Sequence, residues 1–250
     1  MIRMLLWILL LVTTTAVAQE VEYVQYNPTA ADEAYREFRM RKTRPPYGLD
    51  RINKLIKSIE NNAFEEADAG VSALKPEQFK ALSLREKFTY VMIHPEMYSQ
   101  NCAIFIPQPH EDKKIFANLM SWMYEETWSE RQINFLRENR DSVMSLIKES
   151  TLRSKHMGVN YKDAILEVNG WEMIPFLIEY FKSNKKDKDV LTVLNLLMKK
   201  GEYKEFLKSQ SYRKLYGSDY NDESWINYNS ANEKLVIDRA MGYFKEKTNK

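Results

Sequence analysis

Val190-Leu191-Thr192-Val193-Leu194-Asn195-Leu196-Leu197-Met198-Lys199-Lys200-Gly201 reads as a helix with its own stop signal. The apolar run over Val190 to Met198 does not alternate as a half-buried strand would, and it is too short to span a bilayer. Lys199 and Lys200 place cations at the negative end of the helix dipole, and Gly201 supplies a turn. Tyr203 to Leu207 then begins another helix. Upstream the same grammar recurs. Ile165 and Leu166 end one helix, Asn169-Gly170 turns, and Trp171 to Phe181 forms the next. Gly170 and Gly201, 31 positions apart, each follow a leucine-bearing helix and precede an aromatic-rich one. Two stacked helical hairpins of the solenoid type fit this pattern, and so does an ordinary helix bundle.

Outward from that segment, helical signals continue. Ile52, Leu55, Ile56 and Ile59 share one face, and Ser83 with Glu86 matches a capping box. Pro76 opens a short helix before it. Ser129 caps a helix carrying Ile133, Leu136, Val143 and Ile147, which Asn139 to Ser142 interrupts. Glu111 and Asp112 are expected to open a helix through Ile115, Leu119, Trp122 and Met123. Gly217 to Ser230 reads as a polar loop, with Ser230 capping a last helix. Only Val21 to Tyr26 and Ala103 to Ile106 read as strands. The expected class is all-α, a multi-helix bundle or an irregular right-handed stack of helical hairpins, with little or no β structure.

Residues 1–18 carry an export signature. Arg3 precedes the apolar run Met4 to Val12, and Ala16-Val17-Ala18 is a small-x-small cleavage site. A mature chain would start at Gln19, and retention of the segment as an anchor is the competing fate. Residues 19–48 form an N-terminal arm, with a helix over about Ala30 to Arg41 and a connector holding Pro45, Pro46 and Gly48. Residues 49–250 are expected to make a single all-α domain.

Composition narrows the function classes. With 44% hydrophobic residues and a net charge of +2 in 250 residues, the chain is neither a disordered polyelectrolyte nor an obvious nucleic-acid binder. One cysteine excludes a disulfide scaffold. The 7 glycines form no phosphate-binding loop, and no metalloprotease, serine-hydrolase or haem-attachment motif occurs. No cofactor is expected.

Three constellations carry candidate chemistry. His94, Cys102 and His110 lie in the least regular stretch and would be metal ligands or a thiol-imidazole pair. Their spacing departs from closed zinc sites, so the expectation is a buried, inert cysteine rather than a metal site. Glu125 and Glu126 sit among Trp122, Tyr124 and Trp128, where a desolvated carboxyl could act as a glycan-cleaving acid. On a helix these neighbours point about 100° apart, so a second carboxylate must come from elsewhere. Tyr212, Tyr216, Tyr220, Trp225 and Tyr228 are amphipathic binding candidates, or else rings that pin a loop to the core.

The expected function is therefore an exported, periplasmic or secreted helical protein without catalysis, contacting an envelope protein or cell-wall glycan. It is expected to bind no nucleic acid and not to be an integral membrane protein after signal cleavage. The alternative is a glycan- or peptidoglycan-acting hydrolase using a helix-borne glutamate as general acid.

Overall fold

In a computed structural model, residues 26–63, 72–98, 100–102, 106–218 and 221–249 are described. The signal segment, the Val21 strand candidate up to residue 25, residues 103–105 and Tyr220 lie outside them. The protein is predominantly helical, 64% helix against 5% strand, with twelve α-helices among the described residues.

The stretch first quoted is α9 (Asp189–Lys200), and it is the centre of the molecule. Val190, Leu191, Val193, Leu194, Leu197 and Met198 are all fully buried, and Asp189, Thr192 and Asn195 are buried with them. A helix apolar nearly all round needs neighbours on every side. It finds them in α7 (Val159–Glu167), α8 (Ile174–Ser183), α10 (Lys204–Leu207) and α12 (Ser230–Thr248). Each fully buried Leu or Val contributes about 1.5–3 kcal/mol relative to exposure.

Both turns expected around α7 and α9 occur, but the two glycines do different jobs. Asn169 and Glu202 hold the left-handed conformation that ends each helix, at φ 49° and 51°. Gly170 N–H closes onto Ile165 O at 2.8 Å and Tyr203 N–H onto Met198 O at 2.9 Å, the same closure one residue past each left-handed position. Gly170 therefore follows its turn residue whereas Gly201 precedes it. Gly201 is required by proximity: a β-carbon there would lie 1.8 Å from the Tyr243 hydroxyl on α12.

The preceding helices are α1 (Ala30–Met40), α2 (Leu49–Ala63), α3 (Pro76–Lys80), α4 (Leu84–Ile93), α5 (Glu130–Glu138) and α6 (Arg140–Ser154). The Ser83–Glu86 capping box forms as expected, and Asn139 separates α5 from α6. The first helix of the arm is anchored rather than free. Arg39 is buried, donates to Asp189 at 3.0 Å and stacks 4.0 Å from the Phe116 ring centre. In the connector, Thr43 N–H donates to Asn160 Oδ1 at 2.9 Å, and Gly158 N–H donates to the Thr43 hydroxyl at 2.7 Å.

The expected helix from Glu111 to Met123 does not form. Glu111–Lys113 is one 3-10 turn, Lys114–Phe116 is strand β2, and Met120–Met123 is another 3-10 turn. Here β1 is Met97–Tyr98, β3 is Glu126–Thr127 and β4 is Trp225–Asn227. β2 pairs antiparallel with β4, Ile115 opposite Ile226, and β1 pairs with β3. Ile115, Leu119 and Trp122 mimic helical spacing, but the tertiary partner from the expected Gly217–Ser230 loop supplies a ladder instead. That loop accordingly holds a strand, and Asn229, not Ser230, caps α12 by accepting from Asn232 N–H at 2.8 Å.

Candidate functional site

Where the connector, the end of α4, the segment from Ser121 to Trp128 and the start of α7 converge, they enclose a cavity of about 180 Å³. Lys42, Met92, Tyr124, Glu126, Trp128 and Asp163 are among its walls. A larger, more open depression of about 620 Å³ lies against the ends of α7 and α9, with Leu196, Lys199 and Lys200 among its walls. Trp128 and Asp163 line both, so the two hollows meet at these residues.

The rings are held by their polar ends. Tyr124 donates its hydroxyl to Met40 O at 2.7 Å, and Trp128 donates Nε1–H to Val91 O at 2.9 Å. Asn160 is also fully engaged, bonding Met92 O and both backbone polar groups of Thr43. Lys42 Nζ stands 3.4 Å from Glu126 Oε2 and 5.0 Å from the Tyr124 ring centre, bridging the mouth.

Asp163 is the unusual group. It is partly buried on a helix whose neighbours Tyr161, Lys162, Ala164 and Ile165 are buried. Ser121 donates its hydroxyl to Oδ1 at 2.7 Å. Loss of water pushes the carboxyl up to about 7, more than the Ser121 bond and the nearby Lys162 charge hold it down. Lys162 is spent elsewhere, in a buried ion pair with Asp187 at 2.6 Å.

The glutamates nominated from sequence are not on a helix. Glu125 lies at a bend and accepts from Tyr98 Oη–H at 2.9 Å. Glu126 is in β3 with its side chain 60% exposed, and it does reach the first cavity. Of the two glutamates, Glu126 thus lies on a strand and lines the cavity that Asp163 also lines. The sequence offered little signal for Asp163, because adjacent Lys162 and Asp163 in an apolar helix do not reveal which one meets a cavity.

The remaining candidates are dispersed. Tyr212, Tyr216 and Tyr228 are partly buried against the core. Tyr212 and Tyr216 pack on each other and on Phe206 at 5.5 to 6.3 Å, and the Tyr216 hydroxyl donates to Ala117 O. Tyr228 donates to Glu233 at 2.7 Å. Trp225 stays 38% exposed, with Lys114 Nζ 4.2 Å from its ring centre. His94 Nε2 bonds Ser72 O at 2.7 Å, and His110 is exposed at the turn before Glu111, in a left-handed conformation. Cys102 is exposed, which overturns the expectation of a buried thiol. Of the carboxylates close to these residues in sequence, Glu96 and Glu111 are held by Arg131 and Arg36. Among the described residues no three His, Cys, Asp or Glu side chains are grouped to hold a metal ion, and no helix is long and apolar enough to cross a membrane.

Compared with protein-family models, curated proteins and solved structures, the chain matches none.

Proposed function

We propose that this chain is an exported helical protein, non-enzymatic, whose groove around Trp128 and Asp163 binds an envelope macromolecule. The signal segment is residues 1–18, the arm 19–48 and the helical domain 49–250. Its later helices make an irregular right-handed stack of hairpins around α9. The observation that carries the reading is the way Tyr124 and Trp128 line the groove with their polar atoms already bonded to backbone carbonyls. Rings fixed in this manner lose little side-chain freedom on binding, which is the property of a recognition surface. The test is a photoreactive residue at Thr127, an exposed wall of the groove, in cells exporting the full chain. The expected result is a discrete adduct with an envelope component. An exported chain that forms no adduct refutes the reading.

A second reading has one specific observation in its favour. Asp163 holds a proton to about pH 7 in a cavity that Glu126 also lines, the division of labour that glycan-cleaving acid and base carboxyls require. Here the full chain would release soluble fragments from purified peptidoglycan. Asp163→Asn and Glu126→Gln would each abolish that release. Intact peptidoglycan after prolonged incubation eliminates this alternative.

A further inference from the structure

We infer that the junction of the two hollows is a saccharide subsite, in which Trp128 stacks on a sugar ring and Asp163 bonds its hydroxyls. This rests on the binding reading above and specifies its ligand. A sugar ring has two kinds of surface, a C–H face and an equatorial belt of hydroxyls. The junction offers a counterpart to each. Trp128 is common to both hollows and its Nε1–H is committed to Val91 O, so what remains for a ligand is ring surface. Asp163 is also common to both and takes one hydrogen bond, from Ser121 to Oδ1. Its second oxygen has no protein donor among the described residues. A carboxyl with one oxygen oriented by a serine and the other open can bond adjacent hydroxyls, accepting from one and, when protonated, donating to the next.

Charge and backbone favour a sugar over a peptide or a polyanion. Across both hollows Lys42, Lys199 and Lys200 are offset by Glu126, Asp163, Glu167 and Glu202. Such a mixture attracts neither sign strongly. The strand at the rim, β3, is two residues long, too short a ladder for an extended peptide to add itself to the sheet. The two hollows together exceed the space of one ring, so an oligosaccharide can run through the junction.

The experiment titrates the full chain with four soluble tetrasaccharides, built of β-1,4-linked N-acetylglucosamine, β-1,4-glucose, α-1,4-glucose and α-1,6-mannose. Calorimetry and tryptophan fluorescence are the readouts, and a peptidoglycan stem tetrapeptide is run in parallel. At least one sugar is expected to bind in the micromolar to millimolar range, roughly −8 to −4 kcal/mol. Asp163→Ala should weaken it about tenfold or more, while Trp225→Ala, outside the groove, should not. Because Trp128→Ala removes a ring packed on the core, Thr127→Trp serves as the second variant, filling the groove from an exposed strand position. No binding of any of the four sugars overturns the inference. So does binding indifferent to both Asp163→Ala and Thr127→Trp. Stem-peptide binding without sugar binding also overturns it while leaving the wider binding function standing.

Discussion

Ser121 and Asp163 come from segments 42 positions apart and meet in a 2.7 Å hydrogen bond at the wall of the groove. The serine donates, so it favours the ionised carboxyl, yet burial outweighs it and the carboxyl keeps its proton up to about pH 7. Removing the donor leaves burial less opposed.

Ser121→Ala should therefore raise the Asp163 midpoint above about 7. Carbon-detected NMR of the side-chain carboxyl reads it directly. A midpoint that falls or stays fixed would show that the serine does not hold the charged form.

Asp163 also sets a sign for stability against pH. Its folded value lies above the ordinary 3.8, so its contribution is fully present below pH 3.8 and is lost as pH rises through about 7. Asp163→Asn should leave thermal stability at about pH 3.5 little changed and raise it at pH 8. Parallel melting curves at the two pH values check this, and equal shifts at both would contradict it.

His156 runs the opposite way. Half-burial and the neighbouring Arg41 push its imidazole down to about 4 from 6.5. Stability from the neutral ring is present above pH 6.5 and declines as pH falls toward 4. His156→Gln should flatten the melting temperature across that window, measured on the Asp163→Asn background to remove the other titration. Persistence of the full decline would assign it to other groups.

Arg39 is buried between Asp189, at 3.0 Å, and Glu111, at 3.5 Å. Arg39→Ala leaves two buried carboxylates short of a partner, a loss of about 3–5 kcal/mol. Urea unfolding monitored by circular dichroism measures it. Arg36→Ala should cost less, because that side chain is less buried and Glu111 keeps Arg39.

Gly201→Ala should destabilise by about 1–3 kcal/mol through overpacking against Tyr243. Its backbone has φ −84°, which alanine adopts freely, so the steric account predicts rescue by a smaller partner. In Gly201→Ala with Tyr243→Leu the combined loss should be smaller than the two single losses added. Strict additivity would remove Tyr243 as the cause.

The sequence by itself determined the helices whose signals are local. The α9 stretch has apolar residues on nearly every face and can only be a core helix, and the Ser83 and Ser129 caps act within three residues of themselves. It also exposed the polar interruption at Asn139 and the turns before Trp171 and Tyr203. What it could not carry was any pairing across the chain. The spacing of Ile115, Leu119 and Trp122 satisfies a helix, and only the ladder from Trp225–Asn227 makes that region strand and 3-10 turn. Whether Gly170 and Gly201 were equivalent depended on which residue turned left-handed. The groove is likewise a tertiary product. Glu126 was legible as a carboxylate among aromatic rings, but Asp163 gains its proton affinity only from the desolvation that folding imposes on it. Local free energy selects helices and caps one turn at a time. A cavity and the ionisation of its walls exist only once distant segments have excluded water together.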